Sequence, residues 1–81
     1  MNIQVLFFGS CREALNTNEL ALELSPPANV ASAFAALREQ FPLLENFGNS
    51  LLFAVNEEHS RPHDPIHDGD TLAIFPPVSG G

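Results

Sequence analysis

The Gly80-Gly81 pair at the end of the sequence is the feature best suited to chemistry, because it presents a carboxylate on a segment without side chains. Glycine lacks a Cβ and adopts backbone conformations that are closed to other residues, so such a pair can enter a narrow channel in another protein. This carboxylate is therefore the reactive group that the sequence favours. A frayed chain end is the alternative interpretation, since termini are commonly unconstrained.

The segment that leads to this pair is stiff at its base and slim at its tip. Proline fixes the backbone angle φ, which reduces the conformational freedom lost when a segment inserts into a partner. We therefore predict a globular domain over residues 1–75 and a functional tail over residues 76–81, with Gly81 as the reactive residue. The residues predicted to insert into a partner are Pro76, Pro77, Val78, Ser79 and Gly80.

Two other sets of side chains in the sequence could do chemistry. The segment from His59 to Asp70 is rich in histidine and aspartate, which bind metals, but Pro62 and Pro65 oppose the helix that its spacing would need. Cys11 has no histidine near it in sequence, so a small packing residue is favoured over a nucleophile. We predict that the chain itself binds no metal and no cofactor.

The composition describes one small acidic domain. The formal net charge of the 81 residues is −7, three arginines are the permanent cations and lysine is absent. This balance opposes binding to nucleic acid and favours a basic protein partner. A single cysteine excludes an internal disulfide, and the sequence has neither a secretory leader nor an apolar run of about 20 residues. We predict a cytoplasmic protein that does not contact membranes.

Hydrophobic patterning predicts an α+β domain, in which alternating residues mark strands and helical spacing marks a main helix that ends before Pro42. The polar stretch from His59 to Asp70 is predicted to be a loop. The predicted elements are strands over Asn2–Phe8, Glu19–Leu24, Leu51–Val55 and Thr71–Phe75, a short helix over Cys11–Leu15 and the main helix over Val30–Phe41.

This order of elements predicts a ubiquitin-like β-grasp fold, a mixed β-sheet with one main helix packed on one face and a flexible C-terminal Gly-Gly tail. In that fold the first and last strands lie side by side near the centre of the sheet. Phe8 and Phe75 can then share the uncovered face, close to the tail. Because exposed apolar patches mark interaction sites, we predict a partner interface there.

Several segments of the sequence together form a recognisable pattern. They are Val5-Leu6-Phe7-Phe8, Arg12-Glu13, Leu52 to Asn56, the turn Asp68-Gly69-Asp70 and the ending Phe75-Pro76-Pro77-Val78-Ser79-Gly80-Gly81. This pattern resembles the small, sulfur-carrier subunits of molybdopterin synthase, within the ubiquitin-like β-grasp sulfur carriers, and it spans most of the chain.

The resemblance implies a non-catalytic sulfur donor that serves molybdenum cofactor biosynthesis. An E1-like partner would adenylate Gly81 with Mg-ATP, and a sulfurtransferase or persulfide donor would convert it to a thiocarboxylate. The large synthase subunit would then receive the tail, with cyclic pyranopterin monophosphate as the sulfur acceptor, in a heterotetramer of two small and two large subunits. His59 stands where relatives can carry an aliphatic interface residue, so it joins Phe8 and Phe75 as a predicted contact.

Four alternative functions stay open at this point, and one of them is a ubiquitin-like carrier for tRNA thiolation. A sulfur carrier of thiazole biosynthesis also ends in Gly-Gly but is usually shorter and lacks the Phe-Pro-Pro segment. A ubiquitin-like modifier would use the same carboxyl activation to join Gly81 to target amines. A non-catalytic interaction domain would not need Gly80 and Gly81 at all.

Overall fold

The structure is a computed structural model that describes residues 1–48 and 50–77, so the predicted tail residues Val78, Ser79, Gly80 and Gly81 lie outside the described residues. No helix in these two ranges is long and apolar enough to cross a membrane. In chain order the elements are β1 (Asn2–Phe7), α1 (Gly9–Leu15), β2 (Glu19–Glu23), β3 (Ala28–Asn29), α2 (Val30–Gln40), a 3₁₀ helix (Pro42–Phe47), β4 (Leu52–Val55), β5 (Glu58–Ser60), β6 (Pro65–Ile66) and β7 (Thr71–Phe75).

Five of the strands form one mixed sheet in the order β2-β1-β7-β4-β5. β1 and β7 pair in parallel, with Val5 opposite Leu72 and Phe7 opposite Ile74. The other neighbours, β1 with β2, β4 with β7 and β4 with β5, are antiparallel. The first and last strands therefore lie side by side within the sheet, and the predicted β-grasp arrangement is confirmed.

The core lies between one face of this sheet and α2. Alternate residues of β1 and β7 point into it, as the sequence pattern predicted, and full burial of each large aliphatic or aromatic side chain contributes about 1.5–3 kcal/mol. The fully buried residues from these three elements are Val5, Phe7, Leu72 and Ile74 from the strands and Val30, Ala33 and Leu37 from the helix.

Local signals define both ends of α2. The side chain of Asn29 accepts a hydrogen bond from the backbone N–H of Ser32 at 2.8 Å, and the Ser32 hydroxyl accepts one from the N–H of Asn29 at 2.9 Å. This reciprocal cap is worth about 1 kcal/mol at a helix N-terminus. The helix ends before Pro42 because a proline disfavours helical geometry in the residue that precedes it.

The prediction of a loop from His59 to Asp70 is wrong in part. β5 extends from Glu58 to Ser60 and pairs with β4, while β6 pairs with β3 in a separate two-stranded ribbon. These strands are two or three residues long, which is too short to show a period of two in the sequence. Their pairing depends on residues distant in the chain.

A cluster of hydrogen bonds joins the turn after β4 to the start of β7. Asn56 donates from Nδ2 to Asp70 Oδ1 at 2.9 Å, and its Oδ1 accepts from the N–H of Thr71 at the same distance. The other Asp70 carboxylate oxygen accepts from the N–H of His67 at 2.8 Å. The hydrogen bond from Asn56, and then that from His67, lower the pKa of Asp70.

The start of the predicted tail rests on Gly9. This residue has a φ of +59°, and a Cβ placed on it would lie 3.1 Å from Cγ and 3.3 Å from Cδ of Pro76. Both the backbone conformation and the close ring contact therefore favour glycine at this position. This contact holds Pro76, the first residue after β7, against the start of α1.

We predict that Asn56→Ala raises the pKa of Asp70 toward its ordinary value, because the hydrogen bond that lowers this pKa most is lost. Because the pKa of Asp70 is lower in the folded chain, the ionised carboxylate stabilises the fold at pH values above its unfolded pKa of about 3.9. This stabilisation is lost as the pH falls through the folded pKa. Asp70→Asn should therefore flatten the acid limb of the stability profile. Carboxyl NMR titration and urea unfolding across that range measure both effects, and an unchanged Asp70 midpoint in Asn56→Ala contradicts the assignment.

We also predict that Gly9→Ala lowers the free energy of unfolding by more than the ~1 kcal/mol expected for a positive φ alone. Gly69→Ala is the matched control, because Gly69 has a φ of +85° and open space around its Cβ position. Adding Pro76→Ala to Gly9→Ala should recover the excess loss, as a double-mutant cycle in urea would show. Equal losses for the two glycine variants would mean that the Pro76 contact contributes nothing.

Candidate functional site

The face of the sheet opposite α2 carries a row of residues in register across all five strands. Glu19 of β2 lies opposite Leu6 of β1, which lies opposite Ala73 of β7. Ala73 in turn pairs with Ala54 of β4, and Ala54 pairs with His59 of β5. Because residues in register share a face of a sheet, this row is apolar in its centre and polar at both edges.

A second row lies closer to the end of β7 and is apolar throughout. Phe75 is opposite Leu52, and both are half-buried. Phe8 follows the Phe7–Ile74 pair, donates its N–H to the carbonyl of Ile74 at 3.0 Å and is 46% exposed. We name the apolar residues of these two rows the outer apolar patch. They are Leu6, Phe8, Leu52, Ala54, Ala73 and Phe75.

The same face becomes polar away from the end of β7. Gln4 lies opposite Thr71, and the Gln4 amide donates to the carboxylate of Glu19. Glu19 and Glu23 of β2 are exposed and lie on this face. Glu19, opposite Leu6, gives the outer apolar patch an acidic border, and Glu23 lies farther along the strand. Complementary charge speeds encounter and fixes orientation, so this border favours a basic partner surface.

The outer apolar patch and the predicted tail meet at one end of the sheet. β7 ends at Phe75, Pro76 packs on Gly9, and Pro77 is exposed. The structure therefore places Phe8, Phe75 and the base of the tail together. His59 lies at the far edge of the first row, on β5, and is exposed.

The other reactive side chains take no part in this surface. Cys11 is completely buried, and that burial raises the pKa of its thiol, so the residue packs in the core as a protonated thiol. Among residues 1–48 and 50–77, no group of three or more His, Cys, Asp or Glu side chains could hold a metal ion.

Sequence reasoning missed two parts of the surface. Alternation places Leu6 on the face of Phe8 and Ala73 on the face of Phe75. That these residues and Ala54 are neighbours depends on the register in which their strands pair, and no local pattern encodes that register.

The contact of Gly9 with Pro76 was missed for the same reason. Gly9, a glycine directly after a strand, was the single available signal. It indicated the end of the strand as readily as a position where another residue packs closely.

Comparison with known proteins places these features in a family. The ThiS family model matches residues 5–81. The chain is 39% identical to the molybdopterin synthase sulfur carrier subunit of Chlamydomonas reinhardtii, and the alignment covers all of both chains. It is 37% identical to the subunit of that name from Escherichia coli, over 98% of this chain and 99% of that one.

Solved structures share the fold. SAMP1 from Haloferax volcanii matches with a TM-score of 0.89 and 28% identity, over the full length of both chains. A complex of subunits 1 and 2 of the molybdopterin-converting factor from Helicobacter pylori contains a chain that matches with a TM-score of 0.69 and 24% identity, again over both full lengths. The chain therefore belongs to the ThiS family, as a ubiquitin-like β-grasp protein similar to molybdopterin synthase sulfur carrier subunits.

Proposed function

We propose that this chain is the sulfur-carrier subunit of a molybdopterin synthase and that Gly81 carries the sulfur as a C-terminal thiocarboxylate. The chain is then a sulfur donor within the complex, and the catalytic groups belong to its partners. The observation that carries the proposal is the position of the outer apolar patch beside Pro76, at the point where β7 leads into the Gly-Gly segment. The proposal is supported by relatives that match this chain over nearly their whole length and are named sulfur carrier subunits.

The length of the tail limits where the chemistry can take place. Four residues follow Pro77, and a fully extended chain advances at most about 3.6 Å per residue, so the carboxylate reaches no more than about 14 Å beyond Pro77. In the proposed function, a partner that docks on the outer apolar patch therefore has its active site within this distance of Pro77.

Activation is necessary because a carboxylate is a poor acyl electrophile. In the proposed route an E1-like partner directs a carboxylate oxygen of Gly81 onto the α-phosphorus of Mg-ATP, which releases pyrophosphate and forms an acyl adenylate. The sulfur of a cysteine-derived persulfide, delivered by a sulfurtransferase, attacks the acyl carbon and AMP leaves. A thiol then supplies two electrons to split the sulfur–sulfur bond, and the thiocarboxylate remains.

Transfer takes place in the large subunit of the synthase. The thiocarboxylate sulfur attacks a carbon of cyclic pyranopterin monophosphate and displaces an oxygen substituent, which gives a thioester. Water then hydrolyses the acyl–sulfur bond, so that Gly81 leaves as a free carboxylate and the sulfur stays on the pterin. A second transfer completes the dithiolene that later binds molybdenum. Holding both reactants in one site removes much of the entropic barrier.

The substrate phosphate is bound by basic groups of the partner, since this chain is strongly acidic. The Helicobacter pylori complex of subunits 1 and 2 supports such a partner. The heterotetramer of two small and two large subunits stays a prediction.

A second function has a specific observation in its favour. SAMP1, which matches this structure with a TM-score of 0.89, is a small archaeal modifier protein by name. A modifier would join Gly81 to target amines, and isopeptide-linked adducts would distinguish it from a sulfur carrier. The thiazole-pathway carrier is less favoured, because the curated relatives bear the molybdopterin synthase name. The cytoplasmic location and the exclusion of nucleic acid stay predictions.

We predict that Gly81→Ala weakens adenylation or sulfur transfer at least about tenfold, because a methyl group crowds the narrow channel that glycine enters. In the proposed function Gly81 acts on partners, so the free energy of unfolding should stay within about 0.5 kcal/mol of the parent chain. The measurement is pterin conversion with the activating partner, ATP, a sulfur donor and the large subunit.

Two results would count against the role of Gly81. One is a loss of activity in Gly81→Ala that equals the loss of folded protein. The other is retained sulfur carriage, without proteolytic trimming, in a chain that has residues appended after Gly81.

We predict further that Phe8→Ala weakens binding to the large subunit by about 1–2 kcal/mol, as expected for a central aromatic contact. Phe8 is 46% exposed in the free chain, so its truncation should have little effect on folding. Gln4→Ala is the matched control, since Gln4 lies on the same face but outside the outer apolar patch. Isothermal titration calorimetry measures both, and equal affinities for the two variants would place the interface elsewhere.

A further inference from the structure

A groove runs between α2 and the β4–β5 edge of the sheet. Its volume is about 450 Å³, and apolar residues form its floor: Val30 and Phe34 from α2, Leu51 before β4 and Phe53 within it. The rings of Phe34 and Phe53 pack edge to face with their centroids 5.2 Å apart, and both residues are only partly buried. Of the residues that line the groove, only Leu52 and His59 also lie on the outer face of the sheet.

Two of the three arginines of the chain lie at this groove, although the net charge is −7. The guanidinium carbon of Arg38 lies 5.1 Å from the ring centroid of Phe34, which holds the cation over the apolar floor. Arg61 lines the other wall, directly after β5. Within the described ranges, the ion-pair contacts are His63 with Asp64 and His67 with Asp70, so neither groove arginine is paired with a carboxylate there.

One wall of the groove is also the edge of the sheet. β5 is the last strand in the order β2-β1-β7-β4-β5 and pairs with β4 on one side only. Backbone N–H and C=O groups along such an edge can pair with an extended peptide, while side chains on alternate positions of that peptide enter neighbouring pockets. The partly exposed phenylalanine rings supply an apolar surface for those side chains.

We propose that this groove binds an extended acidic peptide segment of a partner protein. Apolar side chains of the segment pack on Phe34 and Phe53, and its carboxylates pair with Arg38 and Arg61, whose guanidinium groups suit carboxylates geometrically. A short segment fits better than a long polyanion, because the rest of this acidic chain repels extended negative charge. Neither Pro76 nor Pro77, the described residues of the tail, lines the groove, so the proposal is independent of sulfur carriage.

The test measures fluorescence anisotropy of a labelled peptide, Asp-Asp-Val-Thr-Val-Thr-Val-Asp-Asp, titrated with the full chain. The control peptide has lysine in place of every aspartate. Arg38→Glu and Arg61→Glu should each weaken binding at least about fivefold, and added salt should weaken binding by the parent chain. Arg12→Glu is the matched control, because it makes the same charge change on α1, away from the groove, and should alter the affinity less than about twofold.

Several results would overturn the proposal. They are no saturable binding of the acidic peptide, weakening of lysine-peptide binding by Arg38→Glu and Arg61→Glu, or an effect of Arg12→Glu as large as those of the groove variants. Amide NMR shifts locate the bound peptide independently, with changes expected at Phe34, Phe53 and Ser60. Changes confined to Phe8 and Ala73 would place it on the outer face instead. If Arg38→Glu unfolds because its contact with Phe34 is lost, Arg61→Glu alone decides the result.

Discussion

The parallel pairing of β1 with β7 is the constraint on which the rest of the structure depends. It makes the first and last strands neighbours, and it requires the chain to cross over between them. β7 has a partner on each side, and its Leu72 and Ile74 are fully buried, so a slip of one residue would exchange its two faces. The position and direction of Phe75, and hence the point at which the tail begins, are therefore fixed by the core.

The two faces of the sheet consequently differ in their environment. One face packs on α2 and supplies the stability, while the other keeps an apolar surface exposed beside the base of the tail. In the proposed function, carboxyl activation and sulfur transfer need the chain to bind a partner and deliver its end to that partner in one event. Pro76 seated on Gly9 links these requirements, because it attaches the tail to the same end of the sheet that carries the outer apolar patch.

Sequence reasoning identified the long elements and the fold, because burial imposes a period of two on β1 and β7 and helical spacing on α2. It also placed Phe8 and Phe75 on a shared face. It missed the strand at His59 and the short ribbon, since strands of two or three residues carry no readable period and form only when distant segments pair. Register and the contact of Gly9 with Pro76 were missed because both depend on residues far apart in the chain.

The most direct test of the central claim is the mass of the C-terminal peptide from protein purified from its native cells. The account predicts sulfur in place of one carboxylate oxygen, localised by fragmentation to Gly81. Localisation is essential because oxidation of Met1 changes the intact mass by nearly the same amount. A carboxylate that is consistently free, in cells with active sulfur metabolism and an activating partner, would contradict sulfur carriage and favour a modifier or an interaction domain.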